Sequence, residues 1–217
     1  MAKQTFNEAE LFLIQNWDEA QALADTMAKA RKKNQELLEK IVEAVLVEYQ
    51  KDFDFGGIKT GGEYCCLTFS RKGWPRDGNR PAGLYLDFLG LDSLASKEVA
   101  EIPEAYVYMG PARKKTGLDV ASAKQKLWQE LPKWLTPEEQ QPCLKYEDNR
   151  DAFVGWYFSS KQEILGWITA GDEQKLKECI QDQVAIFVKL LPVLNDLLRS
   201  DKGKNPSGPG VSPVDGG

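Results

Sequence analysis

Chemistry in this chain has to start from cations and rings. Arg71, Lys72, Arg76 and Arg80 crowd one Gly/Pro-punctuated segment with a single acid, Asp77, and Trp74 stands among them. Arg113, Lys114 and Lys115 make a second basic run. Cations interleaved with an aromatic suit a phosphate backbone carrying a stacked base, so a nucleic-acid-binding module at the Trp74 loop is one expectation. The same cations suit an acidic protein surface equally well. The plainer alternative is a solvated hairpin loop whose Trp caps a sheet edge. Residues 55–116 hold 9 basic and 7 acidic groups, against 7 and 11 in residues 1–54 and 10 and 13 in residues 117–200. The middle is therefore the one net-basic stretch of a 217-residue chain whose net charge is -5. A sequence pI near 5.0 is not the footprint of a dedicated nucleic-acid binder.

Most other chemistries are closed off. The chain contains no histidine, which removes Ser-His-Asp and Cys-His catalysis and imidazole-ligated zinc. GGIKTGG has glycines and a lysine but not the GxxxxGK[ST] spacing of a phosphate loop, and neither GxGxxG nor GxSxG occurs. Asp52 and Asp54 form a D-x-D pair, and Glu147, Asp148 and Asp151 cluster, yet neither set has the remaining ligands of a calcium loop. Both read as solvated surface. Cys65, Cys66, Cys143 and Cys179 include no CxxC pair, so they are expected to be free thiols in a reducing, cytoplasmic compartment. No cofactor and no metal is expected. Trp128, Trp134, Trp156 and Trp167 all fall late in the chain, where an aromatic groove on the C-terminal layer is a further binding candidate.

The elements that must carry these residues can be read from period and punctuation. Asn7 and Glu10 form a capping box, with Phe6 placed to staple onto Leu11. Trp17 to Gln50 is free of Gly and Pro, and its apolar residues recur at three- and four-residue steps. One helix of that length spans about 50 Å, so it either projects or breaks near Asn34 into a hairpin. Homodimerisation through its first half is an alternative, although Arg31 and Asn34 fall on the seam. After a turn-rich joint at GGIKTGG come three strands, EYCCLTFS, GLYLDFLGL and EAYVYMG, with one helical turn expected within 91–101. Asp119 opens a helix that Pro132 stops, Thr136 and Glu139 cap a short one, and AFVGWYF is a fourth strand. Ser160 and Glu163 open a helix closed by Gly171, and Asp172 caps a last helix that Pro192 is expected to kink.

The class is therefore α+β: a small antiparallel β-meander flanked by helices. The expected organisation is a long N-terminal helix or helical hairpin over 1–54, an α+β domain over 55–200, and a disordered Gly/Pro/Ser tail over 201–217. No run of 18 apolar residues is present, so no membrane partner is expected.

The order helix, three meandering strands, helix, strand over residues 37–158 resembles the αβββαβ core of the PD-(D/E)XK nuclease superfamily. That resemblance implies an acid on the second strand and a Glu/Asp-x-Lys on the third, holding Mg²⁺ and activating water. Asp87 in GLYLDFLG matches the first acid and Glu104 the second, but the lysine position holds Tyr106. The departure points to a core kept as a binding scaffold, with a degenerate or active nuclease-like protein as the alternative. The principal expectation is a non-enzymatic interaction or regulatory protein with a protein partner. Its build suits a phage or bacterial accessory factor that docks on a larger complex.

Overall fold

Asn7 opens the first helix in the way its capping box requires. Its Oδ1 accepts from the Glu10 N–H at 2.9 Å, and its own N–H donates to Glu10 Oε2 at 2.7 Å. This is α1, Glu8–Gln15. A computed structural model describes residues 7–61, 64–78, 80–87, 89–95, 103–116, 118–146 and 151–200. Phe6 and its staple, Glu147, Asp148 and the 201–217 tail lie outside the described residues. The backbone departs from helix at Asn16 (φ -119°, ψ 40°), whose side-chain amide donates to the Phe12 carbonyl at 2.8 Å. The long helix α2 then runs unbroken over Trp17–Glu48, so the hairpin alternative at Asn34 does not occur. The break falls at Asn16 instead, where the side chain competes for a backbone carbonyl.

The sheet is larger than a three-strand meander. Strands β1 (Phe55–Gly61), β2 (Tyr64–Ser70), β5 (Gly83–Leu86), β6 (Glu104–Tyr108), β8 (Ala152–Tyr157) and β7 (Cys143–Leu144) lie side by side in that order. Every pairing is antiparallel. A separate hairpin joins β3 (Arg76–Asp77) to β4 (Arg80–Pro81). The GGIKTGG joint is thus strand β1, with Ile58 opposite Leu67. Gly-rich edge strands carry little side-chain signal, which is why the period there is silent.

Side chains alternate across this sheet as the two-residue period demands. Leu67, Leu86 and Ala105 lie across from one another in register, as do Phe69, Leu84 and Val107, and all are buried in the core. Onto that face pack α2, through Leu38, Ile41 and Val45, and α8 (Glu173–Ser200), through Ile180, Val184, Phe187, Leu190 and Leu194. The opposite face carries the row Thr68, Tyr85, Tyr106 and Gly155 across four strands.

The remaining helices are α3 (Leu91–Ala95), α4 (Gly110–Thr116), α5 (Val120–Trp134), α6 (Pro137–Gln140) and α7 (Lys161–Ala170). Asp119 caps α5 by accepting from the Ala121 N–H, and the helix runs through Pro132 to Trp134 instead of stopping there. Gly171 closes α7 in the left-handed conformation (φ 69°), which an L side chain adopts only with strain. Among the described residues no helix is long and apolar enough to cross a membrane.

Candidate functional site

The basic loop divides in the structure. Trp74 is buried: its Nε1–H donates to Asn195 Oδ1 at 3.0 Å, and its ring meets Phe187 edge-on at 6.0 Å. It belongs to the α8 side of the core and not to the surface that the neighbouring cations occupy. Arg76 lies over the Phe55 ring at 4.5 Å, while Lys72 and Arg80 are exposed and Arg71 is half-buried. Lys114 pairs with Asp77 at 2.5 Å and holds that carboxyl below its ordinary range. The second basic run, on α4, is therefore brought beside the β3–β4 hairpin. Lys115 is exposed, and Arg113 pairs with Asp151 at 3.2 Å.

Asp87 directly follows β5 and Glu104 opens the adjacent β6, and the Asp87 N–H donates to the Glu104 carbonyl at 3.0 Å. Asp87 is buried, and Glu104 Oε2 accepts from the Tyr146 hydroxyl at 2.7 Å. Tyr106, where a lysine would be needed, stacks on Tyr85 and meets Tyr146 edge-on. Two carboxylates, one of them engaged by a phenol, are a poor donor set for Mg²⁺, which demands near-octahedral oxygen ligation. Among the described residues no group of three or more acids or thiols stands close enough to hold a metal ion. The thiols are no better suited to chemistry. None of the four is in a disulfide, and burial, with a smaller contribution from the Asp87 charge, pushes Cys65 up to about 11. Burial beside Glu139 likewise pushes Cys143 to about 11. A thiol held protonated is a poor nucleophile.

A groove opens between α5 and the segment that follows β7. Trp128 and Tyr146 line it, with Lys124, Lys145, Gln125 and Gln129, and its volume is about 550 Å³. Both rings are fixed from behind. Trp128 Nε1–H donates to the Phe153 carbonyl at 3.3 Å, and Tyr146 is held by Glu104. Gly155 lies beneath Tyr146, where a Cβ would sit 2.3 Å from the phenol oxygen. Lys124 Nζ donates to the Tyr146 carbonyl at 2.8 Å and stands 6.0 Å from the Phe153 ring centre. Its half-buried position lowers the ammonium's pKa. The late-tryptophan expectation pointed at this layer but missed Lys124, Lys145 and Tyr146. The available signal was on α5 itself: Lys124, Gln125, Trp128 and Gln129 recur at helical spacing on one flank of the stripe buried through Ala123, Leu127 and Leu131.

The second distinctive surface is the N-terminal arm. No residue from Asn7 to Lys33 is buried, and the first buried residue of α2 is Asn34. The exposed large apolar side chains of this arm are Leu11, Phe12, Leu13, Ile14, Trp17, Leu23 and Met27. Arg31 grips Asp92 through Nε and Nη2 at 2.9 and 2.8 Å, and Asn34 Nδ2 donates to the Leu89 carbonyl at 3.2 Å. These two residues anchor the exit of the arm from the body. The seam that buries Asn34, Leu38, Ile41 and Val45 continues upstream at the same steps through Arg31, Met27, Ala24, Ala20 and Trp17. A core-facing stripe therefore runs off the edge of the domain, extending about 25 Å from Lys33 to Trp17. Comparison of the chain with protein-family models, with curated proteins and with solved structures finds no significant match.

Proposed function

We propose that the protein is a non-enzymatic docking protein whose N-terminal arm, Glu8–Lys33, lays its apolar stripe into a groove on a larger protein complex. One observation carries this reading. Seven large apolar side chains are exposed on a helical arm that the body leaves uncovered. Amphipathic helices that bind partners present this kind of stripe. The charge of the arm's outer part, upstream of Lys29, specifies the partner further. Glu8, Glu10, Asp18, Glu19 and Asp25 lie between residues 7 and 28, where there is no Lys or Arg. The complementary groove is apolar and rimmed by Lys and Arg. A cytoplasmic setting and a phage or bacterial host belong to this proposal.

The test uses the full chain carrying a photo-crosslinking residue at Ala22, expressed in the native host. A single crosslinked protein is expected, attached through an apolar groove with a basic rim, and lost when Trp17, Leu23 and Met27 are all changed to Ala. Crosslinking to a second copy of this chain would replace the foreign partner by homodimerisation. An unchanged partner in the triple variant would refute the arm as the docking element.

A nuclease-like reading keeps one supporting observation, the adjacency of Asp87 and Glu104. Mg²⁺-dependent cleavage of DNA or RNA that vanishes in Asp87→Asn would establish it in place of docking.

A further inference from the structure

We infer that the groove between α5 and the Lys145–Tyr146 segment is a mononucleotide site, in which a base stacks on Trp128 and Tyr146 and its phosphate meets Lys124 and Lys145. The chemistry expected of the Trp74 loop, cations beside an aromatic, is offered at this groove with the ring accessible.

Three features carry the inference. First, both aromatic walls are pre-organised. The indole N–H is committed to the Phe153 carbonyl and the phenol to Glu104, so both lining rings are anchored by their polar ends. Tyr146 also rests edge-on against Tyr106, with ring centres 6.4 Å apart, and over Gly155. Fixing a ring beforehand removes an ordering cost from binding. Base–aromatic stacking is worth about 1–3 kcal/mol per base. Second, the described lining brings positive charge. Two lysines line the groove, and among the described residues no acid does. Lys124 is steered there by its bond to the Tyr146 carbonyl. Third, the size and the edges fit. A cavity of about 550 Å³ lies within the range that holds small ligands. Gln125 and Gln129 each bring an amide that both donates and accepts, as the edge of a base requires. An acidic peptide would satisfy the lysines but leave two flat ring faces and two amides without a matching partner. The inference is independent of the arm.

Calorimetric titration of the full chain at low salt tests it, with AMP, GMP, CMP and UMP as probes. Adenosine, inorganic phosphate and a single-stranded dT oligomer are titrated alongside. At least one mononucleotide is expected to half-saturate the protein below about 1 mM. The corresponding nucleoside and phosphate are each expected to bind at least about tenfold more weakly. Trp128→Ala tests the stack but touches the core. The double variant Gln125→Glu/Gln129→Glu is therefore the decisive one: both positions are exposed and the change is isosteric. It is expected to weaken the nucleotide at least about tenfold while the circular dichroism spectrum stays unchanged. No mononucleotide binding, or binding unaltered in the double variant, would overturn the site. Phosphate binding as tightly as the nucleotide would remove the base from it. Oligomer binding without mononucleotide binding would overturn the mononucleotide assignment in favour of single-stranded nucleic acid.

Discussion

Replacing Trp74 by Ala separates the two roles that a loop tryptophan can play. The indole is 7% exposed, packs edge-on against Phe187, and donates to Asn195 in the last turns of α8. Truncating a buried Trp to Ala costs about 3–5 kcal/mol, from lost transfer energy and the residual cavity. A domain of this size is stable by only about 5–15 kcal/mol. The change should therefore remove about a fifth or more of the total and lower the melting temperature by about 6–20 °C. Chemical denaturation with urea reads the free energy, and the slope shows whether the transition stays two-state. Trp74→Phe dissects the loss. It keeps most of the apolar contact but leaves the half-buried Asn195 Oδ1 without its donor, a cost of about 1 kcal/mol. Adding Asn195→Leu to Trp74→Phe should recover part of it, because both members of the hydrogen bond are then apolar. Reversing the charges of the exposed Lys72 and Arg80 together should cost little, since exposed substitutions usually change stability by less than about 0.5 kcal/mol each. A Trp74→Ala protein destabilised by under about 1 kcal/mol would refute the placement of this ring in the core.

Three other outcomes follow from the same packing. Changing Trp17, Leu23 and Met27 to Ala should leave the urea midpoint nearly unmoved, because each is exposed and Ala is the better helix former; a large loss would mean the arm folds onto the body. Gly155→Ala places a Cβ 2.3 Å from the Tyr146 hydroxyl oxygen, so Tyr146 must move and its bond to Glu104 break; a destabilisation of about 1–3 kcal/mol is expected by denaturation, and a neutral result would show that the ring shifts freely. Stability should fall at alkaline pH. Burial raises the Cys65 thiol from 9.0 to about 11, so the unfolded chain loses this proton first and stability declines between about pH 9 and 11. Tyr85 and Tyr146 are raised as well, mainly by burial, and extend the decline upward. A urea midpoint constant from pH 8 to 11 would contradict those buried positions.

Sequence patterning was most informative where period and caps agree. The Asn7, Thr136 and Ser160 capping boxes form as read, Gly171 ends α7, and Tyr64–Ser70 and Ala152–Tyr157 are strands. The α+β class with an antiparallel sheet and a long N-terminal helix follows from those signals. Strand β1 was illegible because Gly56, Gly57 and Gly61 give a strand no side-chain period, and pairing with β2 holds it instead. Helix α4 was illegible because Gly110, Pro111 and three successive cations carry no apolar stripe. Trp74 misled for a related reason. Its neighbours in sequence are polar, while its neighbours in space, Phe187 and Asn195, are more than a hundred residues away. Nothing local distinguishes a surface indole from one reaching into a distant helix. The groove failed on similar grounds, since Trp128 and Tyr146 meet only after α6 and β7 fold back.

The arm's exit from the body has a consequence for helix–coil thermodynamics. An isolated helix of its length is marginal in water, because the first turn is costly to nucleate. Here the nucleus already exists: residues 34–48 of α2 are held by the core, so every turn upstream needs only propagation. Ala20, Ala22, Ala24, Ala28 and Ala30 favour that propagation. Among the described residues none upstream of Asn34 is buried, so melting of the arm is a one-dimensional fraying toward its anchor at Arg31. Protection of its amides against hydrogen exchange should fall residue by residue from Asn34 toward Trp17, steeply on warming, while the body unfolds as one cooperative unit. The length of helix offered to a partner is thus set by temperature, and a partner that grips it captures a population instead of building a structure.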